Sequence, residues 1–260
     1  IAAPAPTRAV AASAPTRAVA ASAPARAVPA SPARAIASMS AAAPPPPQQR
    51  HRFVDIGLNL LDPMFDGNYR GKQAHPSDID AVLARAAEAG VEHAIVTAGT
   101  LEESRRALEF VRSRAAAGTC PVRLHTTVGV HPTRSLEFLP EAERAEVEAA
   151  MAAAEKDADG SACAALGELE TAVLARPSVQ AHALAHAAAL EALLAEGVAA
   201  GCVAAVGECG LDYDRLQFCP RGVQRAGFVA QLGLARTSGL PLFLHNRATA
   251  GDFASLCSAR

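Results

Sequence analysis

The chain has 260 residues, of which 50% are apolar and only 4% aromatic. Its formal net charge is −2, but residues 1–54 hold six Arg and no acidic residue, so residues 55–260 carry −8. This acidic body excludes non-specific attraction of nucleic acid through overall charge, because phosphates are drawn to a positive surface field.

The first 51 residues are of low complexity. A nine-residue unit, ASAPTRAVA at 12–20, is followed by the near copy ASAPARAVP at 21–29. Frequent Pro interrupts helices and little can be buried, which predicts a disordered N-terminal segment at 1–51. Its acid-free, Arg-rich composition fits an organelle transit peptide. The alternatives are that Met39 is the true start, or that the segment is a basic tail that binds nucleic acid.

The location in the cell is predicted from hydropathy, from the cysteines and from this N-terminal segment. No charge-free apolar run reaches 18 residues, so we expect no membrane span and no membrane partner. The six Cys form no CxxC pair, which is typical of reduced thiols in an intracellular protein. We therefore expect the cytoplasm or nucleus, or an organelle if the first segment is a transit peptide.

From Arg52 onward, strand and helix patterns alternate. Strands are predicted at Phe53–Leu60, Val91–Ala98, Val122–His131, Cys202–Glu208 and Leu240–His245, and helices at Pro76–Ala89, Leu101–Ala117 and Gly222–Thr237. Strands separated by helix-length segments form parallel βαβ units. The pattern predicts an α/β fold, a TIM-type (β/α)8 barrel truncated after about the fifth strand. Residues 52–260 would form this domain, with an Ala-rich helical insertion at about 141–201.

Each predicted strand ends in a polar or ionisable side chain, and the carboxyl ends of the strands build the active face of such a barrel. These side chains are Asn59, Thr97, His131, Glu208 and His245. A carboxylate at a strand end, such as Glu208, can hold divalent cations, and Asp212 and Asp214 follow it after a turn predicted at Cys209–Gly210.

His245, Arg247 and His131 are further candidates, and the last two each have a competing interpretation. We expect His245 to point into the barrel mouth beside Glu208. Arg247 can hold a phosphate oxygen in bidentate fashion, or be an ordinary surface Arg. His131 can contact the substrate or transfer protons, or have its hydrogen bonds satisfied by backbone.

A pair of histidines lies in the predicted helical insertion. His182 and His186 are four residues apart and would share one helical face, a spacing that can bind a metal. No third ligand is near in sequence, so a solvated helix face is the favoured interpretation.

Several stretches resemble the TatD family of metal-dependent deoxyribonucleases, which are α/β barrels of the amidohydrolase type. They are FVDIGLNL (53–60), TVGVHPT (127–133), VAAVGECGLDYDR (203–215) and PLFLHNR (241–247). Two more stretches, LLDPMFDGNYRGKQAH (60–75) and DRLQFCP (214–220), resemble one branch of that family. The resemblance implies a hydrolase of DNA phosphodiester bonds, exonuclease-like, with one or two divalent ions (Mg²⁺, Mn²⁺ or Zn²⁺) and DNA as its partner.

The resemblance also assigns roles to residues. Glu208 matches the family's metal-bridging carboxylate and His245 a metal ligand. His131 and Arg247 match positions near the substrate, and with Asp212 they are the candidate catalytic residues. Most members begin with Asp-x-His-x-His, and here the segment runs from Asp55 to Asn59 with Gly between. Asp55 and Asn59 are therefore predicted as weak metal ligands or structural residues.

A second departure concerns the end of the chain. The family takes a further His from its sixth strand and an Asp from its eighth, and the chain stops soon after the fifth predicted strand. We therefore expect the 260-residue chain by itself to be inactive, although the resemblance implies an enzyme. The alternatives are a hydrolase of a small phosphoester, amide or lactone on the same barrel, or a non-catalytic, metal-depleted scaffold. No protein partner is predicted.

Overall fold

The structure is a computed structural model that describes residues 51–156 and 161–259. Its strands are β1 (Phe53–Leu58), β2 (Asn68–Tyr69), β3 (Lys72–Gln73), β4 (Val91–Val96), β5 (Arg123–Val128), β6 (Val203–Asp212) and β7 (Leu242–Arg247). Its α-helices are α1 (Ile79–Glu88), α2 (Leu101–Ala117), α3 (Glu141–Glu155), α4 (Ser161–Leu174), α5 (Pro177–Ala199), α6 (Arg221–Ser238) and α7 (Asp252–Ser258). Two 3-10 segments lie at Pro63–Asp66 and Pro132–Phe138. Except for His51, the predicted disordered segment lies outside the described residues.

One parallel sheet organises the described residues. Its strands stand in the order β1-β4-β5-β6-β7, and every neighbouring pair is parallel. Strands β2 and β3 form a separate antiparallel hairpin. Helices connect the parallel strands because a parallel pair needs a long crossover. The α/β arrangement predicted from the alternation of patterns is confirmed.

Helix α2 has the bounds that the sequence predicts. The side chain of Thr100 accepts a hydrogen bond from the backbone N–H of Glu103 at 3.0 Å, which caps the first turn. The helix ends at Gly118, which adopts a left-handed conformation with φ 67°. The cap and the stop signal are both local, so the sequence alone located this helix.

The ends of several strands differ from the prediction. Strand β1 ends at Leu58, β4 at Val96 and β5 at Val128, two or three residues earlier than expected. Beyond β5, Pro132 has no N–H to donate and begins a 3-10 segment instead of continuing the ladder. Strand β7 runs on to Arg247, because its pairing with β6 continues to the register pair Asp212 and Arg247.

The main core lies between the sheet and helices α1, α2, α5 and α6. Fully buried members are contributed by the sheet (Val96, Val128, Val206) and by the helices (Leu83, Val111, Leu190, Leu194). Aliphatic side chains with few aromatics fill this space, as the composition requires. The core anchors the strands from which the site residues project.

Helices α3, α4 and α5 occupy the region between β5 and β6. They surround a smaller core with Val147, Val173 and Val179 at its centre, which also receives Val223 of α6. From α4, Glu170 accepts the backbone N–H of Gly222 at 2.7 Å. This contact holds the helical region against the start of α6.

The sequence predicted that the chain has no membrane span and that its cysteines are reduced. Among the described residues, no helix has both the length and the apolar character needed to cross a bilayer. Cys202, Cys209 and Cys219 are buried, whereas Cys163 and Cys257 are exposed. Burial raises the pKa of the Cys209 thiol to about 12, which removes it as a nucleophile at neutral pH.

Candidate metal centre

Strand β6 carries two of the candidate residues, Glu208 and Asp212. It runs on to Asp212, so the turn predicted at Cys209–Gly210 is wrong. Its pairing with β7 shifts register between Gly207 and Cys209, which leaves Glu208 as the extra residue of a bulge. A bulge redirects a side chain without ending the strand, and so Glu208 and Asp212 are both presented from one strand.

Two glycines beside this bulge bring β6 and β7 into close contact. Gly207 and Gly210 have φ values of 137° and 143°, which side chains strongly disfavour. A Cβ at Gly207 would lie 2.2 Å from the carbonyl oxygen of Phe243, and one at Gly210 would lie 1.9 Å from that of His245. Any side chain at these positions would push β7 away and separate His245 from Glu208.

His245 of β7 stands between the two carboxylates of β6. Its Nδ1 lies 2.8 Å from Oε1 of Glu208 and its Nε2 lies 3.2 Å from Oδ2 of Asp212. The hydrogen bond to Glu208 raises the pKa of His245, although burial opposes it, and the charges of both carboxylates add to the rise. The same bond lowers the pKa of Glu208, against the opposing effect of burial. Both shifts favour the charged form of each partner.

His131 approaches from the loop that follows β5. Its Nδ1 lies 2.8 Å from the hydroxyl of Thr133, so its Nε2 faces the other residues. That Nε2 lies 3.2 Å from Nδ1 of His245 and 3.7 Å from Oε1 of Glu208. Burial lowers the pKa of His131 and outweighs the nearby Glu208 charge, which acts to raise it. The shift favours the neutral imidazole, the form that binds metals.

His131, Asp212 and His245 converge on one point. Each offers one ligand atom, and the three atoms lie within 4.8 Å of one another. The carboxylate of Asp212 is only 1% exposed. Within the described part of the chain, the buried Nε2 of His245 is left without a hydrogen-bond partner, and its nearest acceptor is Oδ2 of Asp212 at 3.2 Å. Two imidazoles, a carboxylate and an unsatisfied nitrogen fit a divalent cation, and the residues present therefore suit a metal site.

The sequence and the structure group these residues differently. The prediction placed Glu208 and His245 at the metal and assigned Asp212 and His131 to catalysis. The geometry joins Asp212 and His131 to His245, and Glu208 contacts both histidines. Thr133, which orients His131, was not predicted, although it lies in the TVGVHPT stretch two residues after that histidine.

Arg247 lies at the end of β7 and does not enter the cluster. Its guanidinium is about half exposed and binds the carboxylate of Asp214, with Nε 2.8 Å and a terminal nitrogen 2.7 Å from the same oxygen. Arg215 lies closer to the cluster, with its Nε 3.9 Å from Asp212. An exposed ion pair of this kind is weak.

Asp55 and Asn59 lie on and after β1, at the opposite edge of the sheet from β7. Asp55 accepts the backbone N–H of Gly57 at 3.0 Å, and Asn59 accepts the hydroxyl of Thr97. Strands β4 and β5 separate β1 from β6. Within the described residues the structure does not bring Asp55 into the His131–Asp212–His245 cluster, and Asn59 is engaged by the hydroxyl of Thr97.

The solvated helix face expected for His182 and His186 is wrong. Nε2 of His186 lies 2.8 Å from a carboxylate oxygen of Glu137, and the His186 side chain is 10% exposed. His182 lies 3.2 Å from the backbone oxygen of the same residue. The pair holds α5 against the Pro132–Phe138 segment, and it is not part of the three-ligand cluster.

Comparisons with known proteins agree with the geometry. The family profile described as TatD related DNase matches residues 54–260. The Deoxyribonuclease Tat-D of Schizosaccharomyces pombe is 35% identical over 202 residues, which cover 78% of this chain and 50% of that protein. The 3'-5' ssDNA/RNA exonuclease TatD of Enterobacter lignolyticus is 31% identical over 193 residues, covering 74% and 49%. The chain thus spans about half the length of the curated relatives it matches.

A solved structure supports the same fold. The crystal structure of an uncharacterized amidohydrolase from Saccharomyces cerevisiae is matched with a TM-score of 0.64 and 33% identity, over 79% of this chain and 51% of that one. The match confirms the barrel type that the order of strands and helices predicted. It also confirms the resemblance on which the metal-ligand assignments were based.

Proposed function

The chain belongs to the family of TatD-related DNases, and from that premise we propose that the protein is a metal-dependent hydrolase of DNA phosphodiester bonds. The observation that carries the proposal is the convergence of His131, Asp212 and His245 at the carboxyl ends of the strands, with a buried nitrogen of His245 unsatisfied. Barrels of this type place their chemistry at that end of the sheet.

His131, Asp212 and His245 would hold a divalent ion, with Glu208 completing the donor set as the carboxylate that touches both histidines. When bound, such an ion supplies a Lewis acid and lowers the pKa of coordinated water toward neutrality. Imidazole suits Zn²⁺, whereas carboxylate oxygens suit Mg²⁺ and Mn²⁺, and we propose one or two ions of this group.

The side chains divide the remaining work. Glu208 holds the ring of His245 through Nδ1, which directs Nε2 toward Asp212. Glu208 favours its ionised form and can accept a proton from an attacking water. Arg247 would leave Asp214 and bind a phosphate oxygen of the substrate. We assign Asp55 and Asn59 to the first strand's local structure, because both are engaged with neighbouring groups.

Related proteins indicate the class of substrate. One is named a deoxyribonuclease and another a 3'-5' exonuclease of single-stranded DNA and RNA. We propose single-stranded DNA, cleaved from an end, as the substrate. A second candidate, hydrolysis of a small amide or ester, is favoured by the acidic charge of residues 55–260. Turnover of single-stranded DNA, compared with that of small esters and amides, separates the two.

We propose that residues 52–260 form the barrel domain and that about 141–201 are an insertion in it. Residues 1–51 would be a separate N-terminal segment. We place the protein in the cytoplasm or nucleus, or in an organelle if that segment is a transit peptide.

The test is Glu208→Ala in the complete protein. We expect nuclease activity to fall about 10²- to 10⁴-fold, because the variant loses a proton acceptor and the partner that orients His245. The matched control is Glu196→Ala, which removes an exposed carboxylate of α5 that pairs with Arg112. Wild-type turnover by Glu208→Ala in excess Mg²⁺ would contradict the proposed function.

A further inference from the structure

Two glutamines are buried on the face of α6 that packs against the sheet. Gln224 is fully buried and Gln231 is 1% exposed. They are seven residues apart, two helical turns, and therefore lie on the same face. Gln is seldom buried, because an amide without hydrogen bonds in the interior is costly. The partners of these two amides therefore show what the face is built to hold.

Gln224 binds both backbone groups of Asp212, the N–H and the carbonyl oxygen. The N–H of Asp212 donates to Oε1 of Gln224 at 2.8 Å. In return, Nε2 of Gln224 donates to the carbonyl oxygen of Asp212 at 2.9 Å and to that of Cys219 at 2.8 Å. One side chain thus satisfies both backbone groups of a residue in the metal cluster.

Gln231 makes the same pair of hydrogen bonds with the backbone of Val130. The N–H of Val130 donates to Oε1 of Gln231 at 2.7 Å, and Nε2 donates to the carbonyl oxygen of Val130 at 3.0 Å. The same Nε2 lies 3.2 Å from the carbonyl oxygen of Gly227. Val130 directly precedes His131, so this amide holds the backbone from which that histidine projects.

A primary amide that exchanges two hydrogen bonds with one residue imitates a neighbouring strand. The two amides lie where β5 and β6 no longer pair with each other. Register between β5 and β6 ends at Val128 and Val206, so β5 no longer supports the last residues of β6. The β5 chain likewise leaves the sheet before His131. The two amides replace the missing ladder at the place where the ligands are carried.

We propose that Gln224 and Gln231 are positioning residues that set the separation of Asp212 and His131 from a single rigid helix. The inference rests on the proposed function, since it takes Asp212 and His131 to be metal ligands. Because both amides belong to α6, the two ligands share one frame of reference. A shift of either amide moves a ligand relative to His245, which is held by the pairing of β7 with β6.

The test replaces each amide by Met, which has a similar shape and none of the hydrogen bonds. In the complete protein, stripped of metal, we expect Gln224→Met to speed hydrogen exchange of the Asp212 amide at least about tenfold, and Gln231→Met to do so at Val130. Titration with Mn²⁺ should then show a loss of affinity of about 10- to 100-fold for each variant, the usual effect of removing groups that orient ligands. The double variant should lose roughly the product.

The matched control is Leu234→Ala, which opens a cavity on the same helix and removes an apolar side chain that can make no hydrogen bond to either ligand's backbone. It should lower the melting temperature without changing Mn²⁺ affinity. If a Met variant does not fold, Gln224→Glu or Gln231→Glu keeps an oxygen to accept the backbone N–H and should show a smaller loss.

Three results separate the possibilities. Unchanged exchange at Asp212 and Val130 would overturn the amide contacts themselves. Faster exchange with Mn²⁺ affinity equal to that of Leu234→Ala would make the glutamines merely structural and overturn the positioning role. A wild-type protein that binds no Mn²⁺ would overturn the proposed function, whereas the exchange result would still decide the amide contacts.

Discussion

Glu170 of α4 and Glu208 of β6 are two carboxylates withdrawn from water in different surroundings. Glu170 accepts the backbone N–H groups of Gly222 and Val223 at 2.7 and 3.3 Å. Glu208 contacts the imidazole of His245. Burial raises the pKa of Glu170 despite its backbone donors, whereas the bond to His245 lowers the pKa of Glu208 despite burial.

The comparison shows that burial alone does not decide the charge state of a carboxylate. Neutral backbone donors at the start of α6 make Glu170 a structural connection. A titratable donor makes Glu208 half of a charge pair that can exchange protons or bind a cation. What distinguishes the two is the chemistry of the donor. Substitutions that separate stability from metal binding therefore test the comparison most directly.

The largest expected effect is on stability, from Glu170→Ala. The variant leaves two buried N–H groups at the start of α6 without their acceptor, which should lower the free energy of unfolding by about 1–3 kcal/mol. Mn²⁺ affinity should stay within about twofold of wild type, since Glu170 is not in the cluster. Urea denaturation and metal titration measure the two quantities. A stable variant with weakened metal binding would reverse the roles of the two carboxylates.

A smaller effect is expected on the pH dependence of stability, from Glu170→Gln. A carboxyl whose folded pKa is raised binds more protons when folded, so its contribution to stability declines as pH rises above its unfolded pKa. Gln keeps an oxygen for the two N–H groups and has no charge. The melting temperature of the variant relative to wild type should therefore increase by about 2 °C or more between acidic and neutral pH.

The control for this measurement is Glu196→Gln, which removes an exposed carboxylate of α5 that, among the described residues, does not contact α6 through a hydrogen bond or ion pair. Glu208 has a lowered pKa and should show the opposite trend. It stabilises the folded protein above its unfolded pKa, and this stabilisation is lost as the pH falls through the folded pKa. A melting difference for Glu170→Gln that shrinks as pH rises would contradict the assigned direction.

The smallest effect is expected from Asp55→Asn on β1. Asp55 is an exposed carboxylate that accepts the N–H of Gly57, and the Asn oxygen can accept the same N–H. Mn²⁺ affinity and melting temperature should both stay close to wild type, with affinity changed by no more than about twofold. A tenfold loss of affinity would restore the first-strand carboxylate to the metal site.

Much of the fold was predictable from local signals. The pattern over Leu101–Ala117 located α2, whose ends the structure shows to be set by the local residues Thr100 and Gly118, and the alternation of strands and helices indicated the parallel sheet. The ends of β5 and β6 were wrong, because a strand continues or stops according to its neighbour. Glu208 was expected to end a strand, yet pairing with β7 carries β6 on to Asp212.

The sequence by itself determined the chemistry available at the site. Strand-end positions and the family resemblance identified Glu208, Asp212, His131 and His245 before any contact was known. Only the tertiary structure decided which of them share a centre, because a bulge at Glu208 and two amides of α6 act across long sequence separations. It also assigned Glu170 to stability, since a carboxylate's role depends on its donors, and those donors are 52 residues away in the chain.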